Sequence, residues 1–253
     1  MALAAQVAQL DCEPKPGQPS TFTFLKPSNC LIVRMPQYFA VFGQTGDDSA
    51  YLSDTGPSFQ HLLIEPDGLL FSCPGGPSPA GRYGQRHGTL LAGANSLGPV
   101  ARLSSGQWLS CHEATGRLSR ISRETYSTTL DFGYFSIDQV LVFRSDSITC
   151  SGQIRGLATD DIAELRVLNL PMQEGWRCIC DSTHEAVLLS NSARLRVVVS
   201  GDLGPLQMRE TVPSACGPAQ ILSSELPKRQ LDSGQTHHFT IELNIGNTPC
   251  SRQ

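Results

Sequence analysis

Short runs of alternating apolar and polar residues recur along this chain, and the spacing of an amphipathic helix is scarce. An alternation of period two puts one face of an extended segment in a core and the other in water, so it limits the chain to half-buried strands. Thr21 to Leu25, Cys30 to Met35, Tyr38 to Gly43, His61 to Glu65 and Gly68 to Cys73 read in this way. So do Leu130 to Phe135, Gln139 to Phe143, Arg177 to Asp181, Ala186 to Leu189, Leu195 to Ser200 and His238 to Ile245. Pro36 bends or edges its pair, and Pro66-Asp67 reads as a tight turn. Thr159 to Leu170 has both helical and strand spacing; a strand over Ala163 to Leu170, entered by a turn at Asp160-Asp161, is preferred. Many short strands joined by turns predict an all-β barrel or sandwich.

The 253 residues allow one large β-domain or two small ones. We divide the chain into an N-terminal β-unit over 1–115 and a second over 116–253. Apolar residues make up 40% and the net charge is only −4, which excludes wholesale disorder. No stretch approaches the length of a membrane-spanning helix, so no membrane partner is expected. Charges of both signs are interspersed without a polybasic face, which disfavours nucleic acid.

Two segments interrupt the strands. Cys73 to Gly88 is rich in Gly and Pro and reads as a surface loop or linker. Its Arg82, Tyr83, Arg86 and His87 form a basic and aromatic group and are the candidate partner-binding residues. Pro205 to Pro227, rich in Pro, Ser and Gly, reads as a second break.

The nine cysteines are scattered, with no Cys-x-x-Cys pair, so no structural metal is expected. Cys178 and Cys180 share a strand face, whereas Cys111 and His112 diverge, as do His237 and His238. Trp108 and Trp176 read as core anchors. The first residues lack a basic region before their apolar stretch, and no Asn-x-Ser/Thr acceptor occurs, which favours an intracellular chain with reduced thiols. The alternative is a secreted domain without its leader. Thiol counting under denaturing conditions separates them: nine free thiols mark the intracellular setting, eight blocked ones the secreted.

From Thr128 the chain reads Thr-Thr-Leu-Asp-Phe-Gly-Tyr-Phe, then Val-Leu-Val-Phe-Arg-Ser, then Gly152-Gln153-Ile154-Arg155-Gly156. Ala163-Glu164-Leu165 and Gly175-Trp176-Arg177 follow. This order resembles the dUTPase family, and in particular its diverged, non-catalytic relatives in herpesviruses. The resemblance implies a dUTPase-like β-barrel or sandwich. The family's water-activating Asp falls on Arg155 when aligned at Gly152. Aligned at Ala163-Glu164-Leu165, it falls on Ala158, with the sugar-packing Tyr on Asp161. Arg144 and Ser145 keep the residue types of a phosphate contact, but Arg144 is preferred as a barrel-end ion-pair residue. Without the carboxylate no turnover is expected, and no cofactor either. No Gly-x-Ser-x-Gly, His-Glu-x-x-His or Walker motif appears elsewhere.

The resulting expectation is a non-enzymatic viral interaction protein. It binds a host or viral protein in the host cytoplasm or nucleus, or as part of the virion tegument, and modulates antiviral response or gene expression. The alternative is a β-sandwich capsid or virion surface protein, for which homo-oligomerisation is expected.

Overall fold

A computed structural model of the chain describes residues 20–25, 30–43, 57–65, 68–72, 98–111, 114–156, 161–214, 217–227 and 235–247. The all-β expectation holds: these residues form eighteen strands in antiparallel sheets, none of which closes into a barrel. Among them no helix is long and apolar enough to cross a membrane. The Cys73 to Gly88 segment, with Arg82, Tyr83, Arg86 and His87, lies outside the described residues, as does the Pro66-Asp67 turn.

The first sheet is a five-stranded meander of β1 (Thr21–Leu25), β2 (Cys30–Arg34), β3 (Tyr38–Gly43), β4 (Ser58–Ile64) and β5 (Gly68–Ser72). Each strand pairs with its chain neighbour in antiparallel register.

The second sheet has eight strands. β8 (Thr115–Arg120), β9 (Thr125–Asp131), β10 (Ser136–Phe143) and β11 (Ser147–Arg155) form one half. β13 (Arg177–Ser182), β14 (Glu185–Leu189) and β15 (Ala193–Gly201) form the other. β18 (His237–Asn247) joins them, pairing with β11 on one side and β15 on the other. The alternation read in the sequence maps onto β10, β13, β14, β15 and β18, whereas the strand expected at Leu130 to Phe135 is corrected: β9 ends at Asp131, and Phe132 to Phe135 form the turn into β10, closed by the Phe132 N–H donating to the Phe135 carbonyl. In β10, Ile137, Gln139, Leu141 and Phe143 are buried while the residues between them are not. In β15, Ala193, Leu195, Val197 and Val199 are buried. Register fixes which residues share the core, because a slip by one residue would expose every one of these side chains.

The third sheet runs β16 (Gln207–Ser214), β17 (Gly217–Glu225), β12 (Ile162–Met172), β6 (Val100–Leu103) and β7 (Trp108–Leu109). The preferred strand at Ala163 to Leu170 is thus β12, and it explains the mixed periodicity there. From Leu165 to Met172 every residue is buried, so polarity cannot alternate cleanly. Irregular register after Ile162 and again after Arg166 shifts the phase further. Pro171 is tolerated because β6 pairs only as far as Arg166, leaving an edge at the proline.

The reading of Pro205 to Pro227 as a break is corrected: most of it is the β16–β17 hairpin. Its prolines Pro213 and Pro218 lie opposite each other next to the turn; Pro213 is on the edge strand β16, and Pro218 lies beyond Gln220, where the pairing of β17 with β12 ends, so neither missing N–H breaks a ladder pair.

One hydrophobic core runs through all three sheets. An aromatic chain ties the first sheet to the second. Phe42 meets Phe59 edge-on at 4.9 Å, Phe59 meets Phe143 at 6.3 Å, and Phe143 meets Tyr126 at 6.1 Å. The Tyr38 hydroxyl donates to the Arg144 carbonyl at 2.8 Å, so a buried phenol finds an acceptor in the β10–β11 turn.

Candidate functional site

Alternation aims one set of side chains from the eight-stranded sheet away from the core, and register lines them up. His238 pairs with Gln153, Gln153 with Asp138, Asp138 with Thr129, and Thr129 with Arg117. This row crosses β18, β11, β10, β9 and β8 on one face. Five strands at their usual spacing give it a span of about 19 Å. His238, Thr129 and Arg117 are exposed, and Asp138 and Gln153 are partly exposed. The row contains a carboxylate, an amide, a hydroxyl, an imidazole and a guanidinium, a set that can both donate and accept hydrogen bonds.

A second row lies one strand step along. Ser200 pairs with Thr240, Thr240 with Ser151, Ser151 with Val140, Val140 with Ser127, and Ser127 with Ser119. The hydroxyls of Ser151 and Thr240 are 3.1 Å apart and share a hydrogen bond. Val140, 37% exposed, is an apolar spot among them.

Asp202 organises the β18 end. Its Oδ2 accepts the His238 backbone N–H at 2.8 Å and lies 3.6 Å from His237 Nδ1. His237 is buried and His238 exposed, so the two histidines diverge as predicted. The turn into this contact needs Gly201, whose φ is +86° and whose added Cβ would run into the His238 carbonyl. At the middle of the row, Arg155 forms an ion pair with Asp138. Farther along the face, Arg196 makes a bidentate pair with Glu185 at 2.5 and 2.7 Å, which holds the Glu185 carboxyl below its usual value.

A different cluster lies on the third sheet. Glu164 Oε2 accepts from Arg102 Nε at 3.2 Å, and its Oε1 accepts from Arg166 Nε at 2.7 Å. Both guanidinium groups also face the Trp108 ring, at 5.9 and 4.8 Å. Trp108 is only 8% exposed, which makes it the core anchor its sequence context suggests and leaves no ring face for a ligand. Burial pushes the Glu164 carboxyl up, but the hydrogen bonds and charges of Arg166 and Arg102 outweigh it and hold the carboxyl below 4.5. A depressed carboxyl contributes stability that is fully present above its unfolded value and lost as pH falls through the folded one. We therefore expect acid titration below pH 4.5 to destabilise the protein in part through this residue. Glu164→Gln should cost about 1–2 kcal/mol at neutral pH and flatten that dependence. Urea unfolding at pH 7 and pH 4 checks both.

Among the described residues no group of three or more His, Cys, Asp or Glu side chains is placed to hold a metal ion. Arg144 and Ser145 stand exposed in the turn between β10 and β11, and no ion pair of Arg144 occurs among the described residues. Cys111 is buried, and His112 lies outside the described residues. The sequence reading missed the five-residue row. Its members are individually ordinary polar positions of strands, and only the pairing of five strands brings them together.

No family model matches the chain, and no curated protein does either. Among solved structures, heparinase III overlays 98% of this chain with a TM-score of 0.62 at 11% identity. A form of heparinase III with methylated lysines overlays 93% with a TM-score of 0.55, again at 11% identity. This chain covers 39% and 37% of those two, so it corresponds to less than half their length. At this identity the likeness shows the fold alone: an assembly of antiparallel β-sheets shared with part of a larger protein.

Proposed function

We propose that this chain is a carbohydrate-binding β-sandwich module that takes an acidic oligosaccharide across the outer face of its eight-stranded sheet. The observation that carries this reading is the in-register row from Arg117 to His238. Sugar hydroxyls need paired donors and acceptors on an open surface, and the row offers both over about 19 Å. The Ser and Thr row beside it extends the polar surface, and Val140 provides an apolar contact for a sugar ring. Arg117 supplies positive charge for an anionic group, while the charge of Arg155 is balanced by Asp138. The likeness to heparinase III, whose name marks heparin as what it acts on, supports a carbohydrate as the ligand class. Binding without turnover is the reading: Asp138 and Glu185 on this face are each committed to an arginine, and Glu242, the carboxylate of β18 on the same face, has no second carboxylate of this face beside it in register.

Calorimetric titration with heparin-derived oligosaccharides and with a neutral oligosaccharide tests this. Saturable binding of the acidic ligand is expected, weakened about tenfold by Gln153→Ala and by His238→Ala, each removing about 1.4 kcal/mol. No binding at millimolar ligand, or binding indifferent to both substitutions, overturns it.

The second reading is the non-catalytic, dUTPase-like viral scaffold that binds a host or viral protein inside the cell. It is favoured by the exposed Arg144-Ser145 turn directly after a strand, as in the family pattern. The reduced thiols of Cys30 and Cys150 fit its intracellular setting. The segments beginning at Gly152 and Ala163 run in different sheets. A stoichiometric, salt-resistant protein partner pulled from host lysate, lost with Arg144→Ala, would favour this reading over the first.

A further inference from the structure

The three sheets do not close completely against one another. Where they meet, a cavity of about 40 Å³ remains. Phe42 and Phe59 of the first sheet form one wall. Leu141, Ile148, Cys150 and Ile241 of the eight-stranded sheet form a second, and Val167 and Leu168 of β12 a third. Cys111, on the stretch leaving β7, also lines it. Pro57 and Pro99, which lead into β4 and β6, stand at the same cavity.

The chemistry of this lining is specific. It holds no charged side chain, so a charged guest would lose its hydration without compensation. Gln139, 7% exposed, is its one amide side chain. The Gln139 Oε1 accepts the Cys150 thiol at 3.2 Å. Its Nε2 has no hydrogen-bond partner among the described residues and remains a donor. Burial pushes the Cys150 thiol up to about 12, with Cys111 adding to the effect, so the thiol is neutral and polarisable and acts as an apolar wall. The space exceeds the roughly 10–15 Å³ that one water needs, and falls well short of the roughly 150 Å³ of a cavity that takes benzene.

We propose that this junction is a binding site for a small uncharged molecule with a compact apolar body and one hydrogen-bond acceptor, of the class of short-chain ketones and alcohols. The apolar body packs among Leu141, Ile148, Val167 and Ile241, and the acceptor faces the Gln139 amide. This site is independent of the carbohydrate face, because its residues point to the opposite side of the sheet. Aliphatic side chains favour the body through dispersion and burial, and the single amide selects for an acceptor over a pure hydrocarbon.

The probes are acetone and xenon, titrated against the full chain carrying labelled Ile, Leu and Val methyl groups and read by NMR. Both should shift the methyl signals of Leu141, Ile148, Val167 and Ile241 saturably, leaving those of Leu25 and Leu189 unmoved. Cys150→Met, which fills the space with a flexible side chain, should abolish both responses. Gln139→Leu should weaken acetone about tenfold relative to xenon. Shifts that do not saturate, that spread over distant methyl groups, or that persist unchanged in Cys150→Met overturn the proposal. The wild-type titration decides by itself if either variant fails to fold.

Discussion

Phe143→Ala is expected to lower stability by about 3–5 kcal/mol, the cost of deleting a fully buried aromatic ring. Phe143 has no exposed surface and stands between Phe59 and Tyr126 in the aromatic chain joining the first two sheets. Its removal takes away two edge-on ring contacts and leaves a void that β-strands held on both sides by ladder bonds cannot collapse to fill. Val140→Ala, three residues away on the outer face and 37% exposed, is the control and should change stability by less than about 0.5 kcal/mol. Urea unfolding of both variants gives the comparison. A loss at Phe143 no larger than at Val140 would mean that the first sheet does not pack on the second through these rings.

The second large effect is expected at Gly152. A Cβ there would lie 2.5 Å from the Asp138 carbonyl oxygen, 2.7 Å from Phe239 Cζ and 3.0 Å from Gln139 Cβ. The carbonyl belongs to the neighbouring strand, and β10 and β11 would have to part to make room. Gly152→Ala should therefore cost about 2–3 kcal/mol, the upper part of the overpacking range. Gly246, also in a strand of this sheet, has nothing within 4 Å of its would-be Cβ. Gly246→Ala should be neutral or stabilising by up to about 1 kcal/mol, since alanine restricts the unfolded chain. Opposite signs at two strand glycines separate a close-approach requirement from general strand propensity. Equal effects would contradict the packing described at Gly152.

Strand existence was legible in the sequence at several half-exposed strands but not at all of them: β8, β9 and β11 went unread although each has a solvent face, and the strand expected at Leu130 to Phe135 is mostly the turn between β9 and β10. The alternation of Phe239, Ile241, Leu243 and Ile245 located β18, and β10 and β15 were as clear. Legibility failed where both faces are covered or where an edge tolerates unusual residues. β12 mixed two periodicities because it is buried on both sides, and the β16–β17 hairpin was hidden by prolines that an edge strand accepts. β7, only Trp108 and Leu109, is too short to show any period.

Sheet order was not legible. Nothing local announces that β18 inserts between β11 and β15, or that β12 leaves its chain neighbours to pair with β6 and β17. The polar row depends on that order, since His238 and Gln153 are adjacent only because the last strand returns to the middle of the sheet. The divergence of His237 and His238 followed from strand geometry alone. That Asp202 engages both follows from a turn shaped by Gly201 and could be found only in three dimensions.

The most direct test of the account is to place a bulky charged group on the polar row and measure acidic oligosaccharide binding by calorimetry. Thr129→Glu suits this, because Thr129 is exposed on the row between Asp138 and Arg117 and is not part of the core. The account predicts an unchanged fold by circular dichroism, with affinity for heparin-derived oligosaccharides reduced at least about tenfold by like-charge repulsion. A variant that folds normally and binds as the wild-type chain does would contradict the assignment of this face as the carbohydrate-binding site.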